Sequence, residues 1–501
     1  MKSLLLGIDI GTSACKVAVF KKDGSLVASA SGEYYVYYPH KGWAEQNPDD
    51  WWNAVCHTTK KMLKENEIDA SKIAGIGIDG QSWSAVAIDR EGNVLANTPI
   101  WMDVRAQAIC DRINARVGAD NIFELCGNVL RPSYTTAKVL WYRETMPEMY
   151  QKIYKILQSN SFIAYRLTDK ITQDISQIYG FHCVNMKLGQ WDEKMCENLG
   201  IPKEFLPPIY PCHRVIGEVT AKAAQVTGLK EGTPVVAGGL DAACGALGAG
   251  VIHNGDTQEQ GGQAGGMSIC IEEYAKNPDL ILSYHVVPGK WILQGGTTGG
   301  GGVMRWIEKE FGDYERSVVS LKGKSSMMQM DELAEKINPG SDGLIFLPYM
   351  AGERSPIWNP NAKGVFYGLD FSKTKGHFIR SAMEGVAYSL KHNLNVAEKS
   401  GATVKELLSV GGAANSSLWM QIKSDITGIP MSVPYSDTAT TLGAAILAGV
   451  GVGLYQDFEE AVQETVKFTR RYEPDMEKYT KYQEYYNTYI EIYEKLKTIM
   501  D

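Results

Sequence analysis

The sequence has no Cys-x-x-Cys pair and no dense cysteine framework: its nine cysteines, at 15, 56, 110, 126, 183, 196, 212, 244 and 270, are scattered over 501 residues. A disulfide-stapled secreted scaffold is thereby excluded, and free thiols in a reducing, cytoplasmic compartment are expected. No apolar run approaches the roughly twenty residues that span a bilayer. The apolar stretch after Lys2 is broken at Asp9, too early for a secretory core. Positive charge is not in excess either. With 50 Lys and Arg against 58 Asp and Glu the net charge is −8, which argues against a nucleic-acid surface while leaving room for a local anion site. Also missing is a strand-to-helix turn that opens on G-x-G-x-x-G: the spacing occurs at Gly75 to Gly80, but inside an apolar strand run, which argues against a nicotinamide dehydrogenase. What remains is an ordinary globular composition, 44% apolar and 22% charged, on a chain too long for one core. Two large domains are expected, divided near residue 253.

The chain is organised around Gly7 to Phe20, GIDIGTSACKVAVF. Two apolar runs, Leu4 to Ile10 and Val17 to Phe20, flank a turn of Gly11, Thr12 and Ser13 and predict a β-hairpin. Asp9 closes the first strand, Gly11 lets an anion approach the backbone, Thr12 and Ser13 offer hydroxyl and amide donors, and Lys16 lies just beyond. Such a tip suits a polyphosphate with its divalent metal, the amides holding oxygens and the carboxylate reaching the metal or its waters. Taken alone it is equally an ordinary polar turn.

Trp43, Glu45 and Gln46 sit on a loop before a helix that begins at Pro48. Ile73 to Asp79 is a continuous apolar strand of the kind buried in a parallel sheet. It ends at Gly80-Gln81-Ser82-Trp83-Ser84, and the carboxyl end of a central strand is where open α/β sheets place ligands. Trp101-Met102-Asp103-Val104-Arg105 is a loop able to hydrogen-bond a polyol and stack on its carbon face, with core packing the competing reading for its tryptophan. Residues 106 to 230 read mainly as helices and connections. After the strand Val235 to Ala237 and the Gly238-Gly239 turn, Asp241 opens a small-residue helix, either as a working carboxylate or simply as its cap.

Past 253 the pattern restarts. Thr257 to Ile271, broken by Gly261, Gly262, Gly265 and Gly266, reads as a second hairpin repeating the first. Gly295 to Gly302 holds six glycines in eight residues before a helix and suits close approach of a nucleotide or of another backbone. Leu344 to Met350 ends at Gly352-Glu353-Arg354-Ser355-Pro356, and Leu407 to Val410 ends at Gly411-Gly412-Ala413-Ala414-Asn415, a turn that would accept a flat base or a phosphate. The closing helix carries Tyr479, Tyr482, Tyr486, Tyr489, Tyr493 and Leu496 at helical spacing, a packing stripe.

Together these stretches resemble the FGGY family of carbohydrate kinases over nearly the whole chain. Gly364-x-Phe366-x-Gly368-Leu369, then seven residues, then His377-Phe378-x-x-Ser381-Ala382-Met383-Glu384 fits that family's C-terminal signature at every specified position. The first hairpin is similar to its first phosphate motif, and Gly411-Gly412 with Asn415 to its adenosine motif. The resemblance implies an α/β, two-domain actin/hexokinase/Hsp70-like ATPase fold with ribonuclease H-like lobes, 1–252 and 253–501, and a catalytic cleft between them. The final helix, 475–499, is free in this reading to pack back on the first domain. ATP and Mg²⁺ are the implied cofactors, with Asp9 holding the metal largely through water and Asp241, at an ordinary carboxylate pKa, as general base. ATP is expected at Gly11, Thr12, Ser13, Lys16, Gly262, Gln263, Gly265, Gly299, Gly302, Gly411, Gly412 and Asn415. The sugar is expected at Trp43, Gln81, Ser82, Trp83, Asp103 and Arg105.

Within the family, Trp43-x-Glu45-Gln46-x-Pro48, Gly80-Gln81 and Trp101-x-Asp103-x-Arg105 are most similar to the xylulokinase branch. A pentulose acceptor is implied, D-xylulose first, with ribulose, erythritol or gluconate as alternatives; a non-kinase ATPase on the same fold is the reading from another class. Two departures stand out. Ser82-Trp83 replaces the usual Met-His at the expected sugar contact, and Gln263-Ala264 replaces Thr-Ser in the second phosphate loop. The expected partners are a sugar and ATP, with neither nucleic acid nor membrane, and a homodimer is the candidate assembly.

Overall fold

Two seven-stranded sheets carry the architecture, each built around a hairpin. The computed structural model describes residues 3–435 and 438–500. In the first sheet Leu4–Ile10 pairs antiparallel with Ala14–Lys21, which pairs in turn with Leu26–Glu33. On its other side Leu4–Ile10 runs parallel to Ile73–Gly80, followed by Pro234–Val236 and then, antiparallel, Val215–Glu218. Ile73–Gly80 is buried along its whole length, which is why it reads as a continuous apolar run rather than an alternation.

The second sheet repeats this plan. Asp256–Gly261 and Gly265–Ile271 form the second hairpin, extended by Trp291–Thr297. On the other side Asp256–Gly261 runs parallel to Glu406–Val410 and Met431–Pro434, with Phe468–Tyr472 antiparallel at the edge. The chain therefore has the two-lobed actin/hexokinase-like ATPase fold. All nine cysteines are free thiols, and among the described residues no helix is long and apolar enough to cross a membrane.

A helix from the C-terminal half ties the lobes together. Ala439–Gly451 lies across the first sheet where Gly7 and Gly77 face each other in register on adjacent strands. A Cβ on Gly7 would stand 2.0 Å from the carbonyl oxygen of Thr441, and one on Gly77 1.8 Å from that of Ala444, so only bare backbone admits the helix. The same helix crosses Asp241–Gly248, Gly443 meeting the Cys244 carbonyl and Gly248 that of Ala439. One apolar cluster consequently runs from Leu5 and Phe20 under the first sheet, through Leu247 and Ile446, to Ile269 and Leu407 in the second lobe.

The closing helix corrects an expectation. Met476–Met500 packs on Ser417–Thr427, Lys375–Lys399 and Ile345–Leu347 in the second lobe, and the helix that returns to the first lobe is Ala439–Gly451 instead. The tyrosine stripe gives the reason: Tyr482, Tyr486, Tyr489 and Tyr493 are buried, Tyr482 Oη donates to Glu384 at 2.8 Å, and Tyr489 Oη meets Tyr349 Oη at 2.6 Å. Those polar partners belong to the second lobe, and a buried phenol needs one.

Candidate active site

Strand register gathers three carboxyl-bearing residues at one end of the first sheet. Asp9 lies opposite Asp79 on the neighbouring parallel strand, Gly239–Leu240 pairs with Asp79 and Gly80, and Asp241 follows as the first residue of its helix. The strand end before Asp241 is pinned: Leu240 N–H donates to Ser176 Oγ at 2.8 Å, and Ser176 Oγ donates to Asp174 Oδ1 at 2.5 Å. Asp241 Oδ1 accepts the Ala242 amide at 2.7 Å. Burial first, and then the charge of Asp9, pushes the Asp241 carboxyl up to about 7, above the ordinary value that would already suffice for the role.

Asp9 is buried, and Lys16 Nζ at 3.9 Å only partly offsets the desolvation that raises its pKa. Asp79 is fully buried, and neither of its oxygens accepts a hydrogen bond. Burial, together with the negative charge of Asp9 and Asp241, drives its pKa well above the carboxylate range. Buried carboxyls short of donors are the environment a divalent cation relieves, so the residues present fit one. Among the described residues no cluster of three or more His, Cys, Asp or Glu forms a ready metal cage, so a cation beside Asp9 would take most of its shell from water and phosphate oxygens. Asp79 was missed as a site residue. Its position at the end of a central strand was visible, but its pairing with Asp9 is a matter of register.

The ends of both hairpins and Asp241 enclose one cavity of about 250 Å³ between the lobes. The first lobe lines it with Thr12, Ser82, Trp83, Trp101 and Asp241, the second with the segment 262–268, Gly295, Gly296 and Arg354. Trp83 adopts φ +60°, unusual for a bulky side chain; fully buried Lys138 holds its carbonyl at 2.7 Å and its ring stacks on Tyr134 at 4.2 Å. Trp101, whose ring had a polyol-stacking and a core-packing reading, lines the cavity and donates Nε1–H to Thr12 Oγ1 at 2.9 Å.

Four expected sugar contacts, Trp43, Gln81, Asp103 and Arg105, do not line the cavity, and the charged residues among them are paired within the protein. Asp103 pairs with Arg105 at 2.7 Å and accepts the Ala44 amide at 2.7 Å; Arg105 also pairs with Glu45 at 2.8 Å and lies 3.7 Å from the centre of the Trp43 ring. Opposite charges and an aromatic face that find one another leave nothing for a substrate, and the cluster instead holds the loop that carries Trp101. Gln81 Nε2 donates to Gln46 Oε1 at 2.8 Å, and Gln46 Nε2 donates to the Thr12 carbonyl at 2.8 Å, so Gln81 braces the hairpin tip from below. Ser82 and Trp83 remain where expected.

A second cavity, of about 360 Å³, adjoins the first across Gly262, which lines both. Gly412, Ala413 and Asn415 form one wall; Met304, Met327, Met328, Met383 and Trp419 supply apolar, adaptable surface suited to a flat ring, with Asp331 and Arg305 as polar groups. The expected ATP residues divide accordingly. Thr12, Gly262, Gln263 and Gly265 line the first cavity, Gly262, Gly412 and Asn415 the second, while Gly11, Ser13 and Lys16 belong to the first hairpin without lining either. Gly299, Gly302 and Gly411 are corrected to supports. A Cβ on Gly299 would meet the Pro348 carbonyl at 2.4 Å, Gly302 N–H donates to the Gln263 carbonyl at 3.0 Å, and Gly411 at φ +92° backs the Gly261 carbonyl. These glycines allow backbone to approach backbone, which for Gly299 and Gly302 is the second of the two readings of the 295–302 stretch. Met304 and the 325–331 wall were missed because they carry no glycine or charge motif.

Comparison with known proteins gives a consistent picture. The family model described as FGGY family of carbohydrate kinases, N-terminal domain, matches residues 4–248, and the corresponding C-terminal domain model matches residues 272–452. The xylulose kinase of Staphylococcus epidermidis is 30% identical over all of this chain and 98% of its own length. The gluconokinase of Bacillus subtilis is 31% identical over 95% of this chain and 92% of its own. The crystal structure of xylulose kinase from Rhodospirillum rubrum superposes with a TM-score of 0.90 over 99% of both chains at 28% identity.

Proposed function

The chain belongs to the FGGY family of carbohydrate kinases, phosphotransferases that act on an alcohol group with ATP as donor, and from that membership we propose that its acceptor is a pentulose, D-xylulose first. The observation that carries the proposal is the shared cavity: Asp241 and Trp83 of one lobe face the Gly262 hairpin of the other, and the cavity adjoins a methionine-lined pocket suited to a nucleobase. A volume near 250 Å³ suits an acceptor of a few carbons.

In this reading Asp241 takes the proton of the attacking hydroxyl as its oxygen bonds to phosphorus, and ADP leaves with the electron pair of the broken P–O bond. Asp9, with Asp79 beside it, would hold a divalent cation, which when bound would neutralise charge on the triphosphate. Trp83 walls off the acceptor, and closure of the lobes excludes water, the competing nucleophile.

Gluconate stands second among acceptors, supported by the gluconokinase relative. An ADP-release assay across D-xylulose, D-ribulose, erythritol, gluconate and glycerol tests the assignment. D-xylulose is expected to give the highest kcat/KM, a sugar acid in first place would reassign the acceptor, and an ATPase rate indifferent to all of them would favour a non-kinase role. Trp83→His is expected to change the ranking of acceptors in favour of D-xylulose, because it removes an indole from the cavity wall and adds an acceptor nitrogen. An unchanged ranking would mean that position 83 does not touch the acceptor.

A further inference from the structure

Arg354 carries a motif charge the mechanism above does not use. Its neighbours are fastened to the end of Trp291–Thr297: Glu353 accepts from Thr297 Oγ1 at 2.6 Å and from the Thr298 amide at 2.8 Å, while Ser355 Oγ accepts the Gly296 amide at 2.6 Å. Between these anchors the half-buried guanidinium lines the cavity and forms no hydrogen bond or carboxylate pair with any described residue. Its ring neighbour is Trp101, 5.4 Å from the guanidinium carbon to the ring centre. A Cβ on Gly296 would come within 3.1 Å of that carbon, so the glycine there makes room for the charge. Gly296 is paired in register with Gly266, next to the hairpin tip. The cation thus belongs to the phosphate side of the cavity, which Asp241 lines from the opposite lobe.

We propose that Arg354 grips the phosphoryl group in transit, binding its equatorial oxygens more strongly in the transition state than in bound ATP. The inference rests on the kinase reading above. The reaction balances without it: the acceptor oxygen bonds to phosphorus, its proton passes to Asp241, and the P–O bond to ADP breaks with its electron pair on ADP. The guanidinium offsets charge that spreads onto the transferred group. A half-buried cation kept without a counter-ion is poorly compensated unless an anion arrives during turnover.

The test uses the full chain with Arg354→Ala and Arg354→Lys. The expected result for Ala is a fall in kcat of about 10²–10³-fold with KM for the acceptor and ADP affinity within about threefold, partial recovery on adding guanidinium, and an intermediate kcat for Lys. Calorimetric titration with ADP plus fluoroaluminate, a mimic of the transferring group, should tighten binding relative to ADP in the wild type and not in Ala. That comparison needs no acceptor, so it separates a failure of this assignment from a failure of the sugar assignment. A kcat within threefold of wild type, a loss confined to KM for sugar acids, or equal fluoroaluminate binding in both proteins would each overturn the proposal. Near-native melting temperatures in both variants are the control for folding.

Discussion

Asp241→Asn is expected to lower kcat by about 10²–10⁴-fold and, at the same time, to make the free protein more stable at pH 7 and above. The first effect follows from removing the proton acceptor while keeping the shape of the side chain. The second follows from linkage. An unfolded chain releases the Asp241 proton near the ordinary value of 3.8, whereas the folded protein holds it up to about 7. Stability from this group is therefore complete below pH 4 and is lost as pH rises through 7. An amide has no proton to lose. The interval corresponds to at most about 4 kcal/mol at 1.36 kcal/mol per pH unit, with relaxation around the site reducing it. Urea denaturation at pH 4 and pH 8 checks this: the stability gain should be clear at pH 8 and small at pH 4. In the wild type the same titration should appear as kcat/KM rising with pH through about 7. Near-normal turnover in the variant would remove Asp241 from the mechanism, and equal gains at both pH values would remove the linkage account.

Gly77→Ala is expected to cost about 3 kcal/mol or more and most of the activity, although Gly77 touches neither cavity. Its new Cβ would stand 1.8 Å from the Ala444 carbonyl oxygen and 2.5 Å from the carbonyl carbon, both backbone atoms of the helix that also packs on Asp241–Gly248. That helix must move off the sheet, and with it the alignment of Asp241 against Asp9 and Asp79. Gly412→Ala is the contrasting substitution. No heavy atom lies within 4 Å of its Cβ position and the residue lines the second cavity, so the melting temperature should hold while KM for ATP rises. Similar melting temperatures for the two variants would show that the crossing helix tolerates displacement.

These contrasts explain how much could be read in advance. Both hairpins and the strand leading to Asp241 were legible because strand period, turn glycines and helix starts are properties of neighbouring residues. The polyol motif Asp103, Arg105 and Trp43 misled because residue types that can bind a sugar can equally bind one another, and only the fold decides which they meet. The glycines at 299, 302 and 411 look in the sequence like those at 262 and 412. Whether the missing side chain faces a cavity or another backbone is a distance between segments far apart in the chain.

By itself the sequence determined the family, the two hairpins with their glycine-bearing tips, and a carboxylate at 241 standing at a strand-to-helix turn, since each is written in short runs of adjacent residues. Only the tertiary structure decided that Asp79 joins Asp9, that Arg354 faces the cleft unpaired, that the tyrosine helix stays in its own lobe, and that Asp241 titrates near 7. The physical reason is common to all four. Register, pairing and desolvation depend on which distant groups share a small volume, and no local pattern of residues encodes that.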